Sequence, residues 1–153
     1  MYNLKEGKGT FKGTIGECMF KLTNDKVVIT KFFNKSKYFF IFGKYLNEKQ
    51  SQFLQENWYS IDAIEILFIE GKPQAFLYEI KTRNKYAREL SYKPKMTEAS
   101  HALYNSSKEY GFIPKLVTVW LHDNWEYSIE TKDFHENLYC IDKPKKYDRL
   151  AIF

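Results

Sequence analysis

Three polar side chains stand among strongly apolar neighbours: Asp62, and then Glu79 and Lys81 with one residue between them. Two carboxylates can hold a divalent cation through their oxygens. An amine beside them can orient or deprotonate a water, or stabilise developing negative charge. Such a set suits phosphodiester hydrolysis, whose pentavalent transition state needs charge neutralisation, an activated water and help for the leaving oxygen. The main-chain carbonyl of Ile80, between two of the three residues, is a natural further ligand. Mg²⁺ is the cation expected, with Mn²⁺ as a substitute, because hard oxygen ligands in an open, watery site suit it.

A hairpin has to bring these groups together. Residues 61–69 and 74–82 are β-rich runs joined by Glu70-Gly71-Lys72-Pro73, which predicts an antiparallel pair with a tight turn. With Glu70 opposite Pro73, facing residue numbers add to 143, so Asp62 faces Lys81 and Ile64 faces Glu79. All three polar groups then share one face, with the Asp62 and Glu79 α-carbons roughly 7–8 Å apart as diagonal neighbours. A slip of one residue would send Asp62 to the opposite face. The plainer alternative makes Glu79 and Lys81 ordinary alternating surface charges and Asp62 a residue at a strand start. Against it stand Phe76, Leu77, Tyr78 and Ile80 on one strand and Ile64, Ile66, Leu67 and Phe68 on the other, which imply a largely buried sheet. A buried carboxylate pair requires compensation, and a cation supplies it directly.

Around the hairpin, residues 14–24 read as a short first helix, with Thr14 and Glu17 at the spacing of a capping box. Residues 26–41 are rich in Val, Ile, Phe and Tyr and are interrupted by Asn34-Lys35-Ser36-Lys37, which predicts two strands joined by a basic loop. Residues 48–58 have helical composition, with Phe53, Leu54 and Trp58 on one face. A charged loop over 83–95 leads to a helix over 97–110, which Gly111 ends and Pro114 keeps from continuing. Residues 115–122 predict a central strand, and 127–131 one more after a turn at Asp123-Asn124. The order predicts an α/β fold, a mixed central sheet flanked by helices, in a single domain spanning 1–153.

Composition narrows the partners. At 44% apolar the chain is too hydrophobic for a disordered protein, yet no run approaches the ~18 apolar residues of a membrane helix. No apolar leader opens the sequence, so the expected location is cytoplasmic and no membrane partner is expected. Cys18 and Cys140 match neither a zinc spacing nor a disulfide framework and are expected as free, buried thiols. A net charge of +5 permits an anionic partner without the dense basic tracts of a nucleic-acid coat protein. With 13 Phe and 12 Tyr, the aromatics exceed what one small core absorbs, and some are expected at an interface.

Ser60-Ile61-Asp62-Ala63-Ile64, the hairpin, and Leu77-Tyr78-Glu79-Ile80-Lys81-Thr82-Arg83 resemble the PD-(D/E)xK nucleases, and most of all archaeal-type Holliday junction resolvases. Lys12-Gly13-Thr14-Ile15-Gly16-Glu17 is similar to the glycine-x-x-x-glutamate that opens the first helix of that group. The resemblance spans residues 11–122 and implies a restriction-endonuclease-like fold. It implies a catalytic set of Glu17, Asp62, Glu79 and Lys81, with Glu17, Asp62, Glu79 and Ile80 holding Mg²⁺. It also implies branched or duplex DNA as substrate, and a homodimer whose two sites cut two strands. Ile61 stands where the motif has proline, Cys18 where a basic residue is usual, and the segment from Val27 to Trp58 is longer and more aromatic than expected. Those departures bear on junction specificity more than on chemistry.

Further expectations concern DNA contact and support. Lys12 is one DNA-binding candidate. Arg83, Lys85 and Arg88 follow the active strand closely and are expected at phosphates. Lys31, Lys35 and Lys37 with Phe32, Phe33 and Tyr38 form either a DNA-contacting hairpin or core strands with solvated lysines between, and Ser36 is the nearest match to a loop serine of the resolvases. Glu17 is either a cation ligand or the partner of Thr14 in a helix cap. His101 sits where some relatives place a supporting glutamine, or is structural, and His122 and His135 lack a ligand set. The rival readings are a sequence-specific or homing restriction-type endonuclease, a non-catalytic nucleic-acid-binding protein, and an accessory domain that binds protein through its Phe and Tyr residues.

Overall fold

In the computed structural model, which describes residues 4–84 and 93–142, the hairpin forms as strands β2 (Ala63–Ile69) and β3 (Lys72–Asn84). Its turn is as tight as expected but lies one residue earlier in the chain. Glu70 and Gly71 alone make the connection, with φ of 53° and 77°. Positive φ at both central residues matches the twist of the flanking strands, and glycine adopts it without a Cβ penalty. Ile69 therefore pairs with Lys72 and Ala63 with Tyr78, so facing numbers add to 141 and not 143. Because side chains alternate with period two, a shift of two residues changes partners and preserves faces.

That parity sorts the sheet into two cores. Ile64, Ala75 and Leu77 pack with Tyr38, Phe53, Leu54, Trp58 and Tyr104 on one side. Ala63, Phe76, Tyr78 and Ile80 pack with Phe20, Val27 and Ile29 on the other. Full burial of an aliphatic or aromatic side chain of this kind contributes about 1.5–3 kcal/mol, so both faces require a helical cover.

The cover comes from α1 (Leu4–Thr23) on the second face, and from α2 (Lys35–Phe42), α3 (Glu48–Asn57) and α4 (Glu98–Ser107) on the first. The short strand β1 (Val28–Ile29) pairs with the head of β2, and β5 (Ile113–Leu121) lies parallel to β3 along nine residue pairs. Antiparallel β6 (Tyr127–Asp133) follows β5, giving a mixed sheet in the order β1-β2-β3-β5-β6. Strands β4 (Lys95–Thr97) and β7 (Cys140–Asp142) make a separate parallel pair. Gly111 ends the α4 segment at φ 87°, as its position predicts, and Asn124 takes φ 61° in the turn before β6.

Several expectations are corrected. Residues 26–41 hold one two-residue strand and a helix, not two strands. Asn34 does not sit in a hairpin turn: it caps α2, its side chain accepting from the Lys37 N–H. The aromatic run then packs by helical spacing, with Tyr38 against Phe42 and Trp58. The first helix begins at Leu4, so Thr14 and Glu17 lie inside it and cannot form a capping box. The strand over 115–122 is interior as expected, with β5 between β3 and β6. Cys18 and Cys140 are free but exposed, not buried. Among the described residues no helix is long and apolar enough to cross a membrane.

Candidate functional site

The pairing of β2 with β3 stops at Ala63 and Tyr78, one residue short of Asp62. There the Asp62 side chain replaces a strand partner: its Oδ2 accepts the Ile80 N–H at 2.8 Å. On the other flank its own main-chain carbonyl accepts from Thr30 N–H at 3.2 Å, which ties the head of β2 to the turn after β1. In an extended strand the N–H and C=O of one residue point to the same edge. The Ile80 carbonyl therefore faces the Asp62 side, beyond the last β2 partner, where the expected further ligand has to be.

Glu79 and Lys81 flank Ile80 and project from the face opposite to it. Their side chains form an ion pair at 3.1 Å, with Glu79 buried at 7% exposure. Glu17 enters from α1, which lies unusually close to β3 at Gly16. A Cβ built on Gly16 would stand 1.9 Å from Oγ1 of Thr82, so only glycine allows this approach. Glu17 is buried at 8% exposure. Lys31 reaches it from the turn after β1 at 2.9 Å and also donates to Oγ1 of Thr14 at 3.2 Å. The ammonium stands against Oε2 of Glu17 as its ion-pair and hydrogen-bond partner, so Lys31 already answers much of that carboxylate's charge.

The carboxylates feel one another. Burial, then the charge of Glu79, pushes the Asp62 carboxyl up to about 8, with Glu17 adding and the Ile80 N–H and Lys81 opposing. Burial also raises Glu17, opposed by Lys31, with Glu79 adding to the rise. Three carboxylates thus share a partly buried locale, where burial and mutual repulsion make a negative charge on Asp62 costly. A cation or a proton has to answer it. Among the described residues no three His, Cys, Asp or Glu side chains gather as a preformed metal cage.

Of the expected DNA contacts, Lys12 and Arg83 come together beside this set. Burial lowers the Lys12 amine, and the Arg83 charge lowers it further. Arg83 also donates to the Thr82 carbonyl at 2.8 Å. Lys35, Ser36 and Lys37 lie instead in the first turn of α2; Lys35 donates to the Gln55 carbonyl and Lys37 stands 5.9 Å above the Phe33 ring. The expectation of a DNA-contacting hairpin there is corrected, since the segment is helical. Lys85 and Arg88 lie outside the described residues.

The histidines take structural roles. His101 Nδ1 lies 2.5 Å from the Tyr139 hydroxyl and its ring is in reach of the Asn105 amide, so it does not support the site. His122 bonds Ser128, and His135 accepts from the Asn137 N–H. What sequence reasoning misses on α4 is Tyr104, three positions beyond His101, whose hydroxyl donates to the Tyr78 carbonyl at 3.1 Å. The pairing of Lys31 with Glu17 likewise has no signal short of the α1 packing. No protein-family model, no curated protein and no solved structure matches the chain.

Proposed function

We propose that this chain is a Mg²⁺-dependent DNA endonuclease on a restriction-endonuclease-like scaffold, selective for branched DNA and acting as a homodimer. The observation that carries the reading is the bond from the Ile80 N–H to Asp62 Oδ2, which holds that carboxylate beside Glu79 and Lys81 where the strands part. Glu17, Asp62, Glu79 and the Ile80 carbonyl would hold the cation, and the high cost of a bare charge on buried Asp62 fits one. Bound Mg²⁺ would neutralise phosphate charge and acidify a water. Lys81, fixed by Glu79, orients that water or stabilises the charge developing on the phosphoryl oxygens. Lys12 and Arg83 anchor the DNA backbone. Exposed aromatics, Phe40 at 91% and Tyr59 at 86%, offer surface for a second copy.

The ion pairs Lys31–Glu17 and Lys81–Glu79 favour a second reading, in which the lysines neutralise the carboxylates permanently and the domain binds nucleic acid without cutting it. One assay separates the two. Labelled four-way junction, linear duplex and single strand are incubated with and without Mg²⁺, using wild type and Glu79→Ala. Cutting of the junction, dependent on Mg²⁺ and lost in the variant, is expected. Preference for linear duplex would favour a sequence-specific or homing enzyme, and Glu79→Ala cutting at the wild-type rate would remove the assignment. In the same assay Lys81→Ala should bind DNA with wild-type affinity by gel shift while losing about 10²-fold or more in turnover. An equal loss of binding would recast Lys81 as a phosphate anchor.

A further inference from the structure

We infer that Tyr104 is a positioning residue of this site, its hydroxyl setting how far β2 and β3 part at the Asp62–Glu79 fork. The inference rests on the nuclease reading just proposed. Tyr104 has no exposed surface, and its ring is gripped by Phe134 at 5.1 Å between centroids. Its hydroxyl donates to the Tyr78 carbonyl at 3.1 Å, on the strand that carries Glu79. The Asp62 N–H meets the same oxygen at 3.5 Å, from the strand head that carries the other carboxylate. One immobile oxygen therefore stands against the backbones of both strands where their pairing ceases. Glu79 and Asp62 are also near enough for their charges to act on that hydroxyl.

A phenol suits this place. A buried hydroxyl can donate one hydrogen bond and accept another, so it meets a carbonyl from one strand and an N–H from the other without a water. Phenylalanine would keep the ring and lose both. Asp62 and Glu79 could then relax toward or away from each other, and groups that orient ligands from behind typically matter by about 10- to 100-fold in metal affinity or activity.

The test compares wild type, Tyr104→Phe and His101→Ala, all confirmed folded by circular dichroism. Mn²⁺ affinity is measured by calorimetry, and kcat and KM on a four-way junction. Tyr104→Phe is expected to weaken Mn²⁺ binding and lower kcat by about tenfold each, with KM for DNA within about twofold of wild type. His101→Ala, on the same helix but bonded to Tyr139 and Asn105, should change melting temperature and neither constant. Wild-type Mn²⁺ affinity and kcat in Tyr104→Phe would overturn the inference while the nuclease reading stands. A wild type that neither binds Mn²⁺ nor cuts would overturn both.

Discussion

Asp62→Asn should leave the metal-free protein more heat-stable than wild type near pH 8 and, at once, abolish cleavage. The sign follows from the carboxyl, which ordinarily titrates at 3.8 and is raised to about 8 by burial and by Glu79. Below 3.8 both folded and unfolded chains hold the proton and the group is neutral to stability. As pH rises from there the unfolded chain releases a proton that the folded one keeps, so stability is lost until pH passes the folded value. The full shift would be worth about 6 kcal/mol; with partial exposure and adjustment of Lys81, about 2 kcal/mol is a fair expectation. For a domain of this size that is a rise of roughly 4–8 °C in melting temperature on removing the charge. The amide oxygen of the substituted side chain would still accept the Ile80 N–H, so local geometry survives. Melting curves at pH 5 and pH 8, with and without Mg²⁺, check the claim. The gap between variant and wild type should be larger at pH 8 than at pH 5, and Mg²⁺ should close it by stabilising wild type alone. Cleavage by the variant should fall by about 10³-fold. A wild type no less stable than the variant at pH 8 would mean that the carboxylate is not strained there, and the case for a cation at the fork would fail.

The cost of keeping Asp62 charged sits at a place the sequence discloses only in part. The hairpin is legible because two β-rich apolar runs flank a turn that carries glycine, and the face shared by Ile64, Leu77, Glu79 and Lys81 survives an error of two in register because side chains alternate with period two. A choice between 141 and 143 depends on whether Glu70 accepts positive φ, which composition does not tell. The segment 26–41 misleads because aromatic residues favour strands by propensity, whereas here Asn34 caps a helix whose Tyr38 and Phe42 pack together, with Tyr38 also on Trp58; tertiary burial outweighs the local preference. Spacing alone leaves Glu17 between cap and ligand, and only the length of α1 removes the cap. Tyr104 and Lys31 are illegible for a different reason. Each acts across elements distant in the chain, 42 residues separating Tyr104 from Asp62, and no periodicity records which side chain of a helix meets a given strand.

Gly13 and Gly16, three apart on α1, should answer an alanine substitution with opposite signs. Alanine is favoured over glycine inside a helix by about 1 kcal/mol, which both sites should gain. At Gly13 nothing lies within 4 Å of the new Cβ, so the gain stands and melting temperature rises by roughly 2–4 °C. At Gly16 the Cβ would meet Thr82 Oγ1 at 1.9 Å, with Cβ and Cγ2 of Thr82 at 3.0 and 3.1 Å. Thr82 is buried and β-branched, hence stiff, so α1 has to retreat from β3. Overpacking of this kind costs about 1–3 kcal/mol, and loss of neighbouring contacts as the helix lifts adds to it, so the clash outweighs the propensity gain. Glu17 follows Gly16 directly and would be drawn back from Asp62 and Glu79, so Gly16→Ala should also lose about 10²-fold in cleavage, more than its stability loss explains. Thr82→Ala provides the control. Among the described residues its hydroxyl is buried without a hydrogen-bond partner, so removing it sacrifices no bond, and Gly16→Ala combined with Thr82→Ala should regain much of both stability and cleavage. Thermal melts and cleavage rates for the four variants decide the matter. If Gly16→Ala melts at or above wild type and cuts normally, α1 does not rest on Thr82, and Glu17 is not held at the fork by that contact.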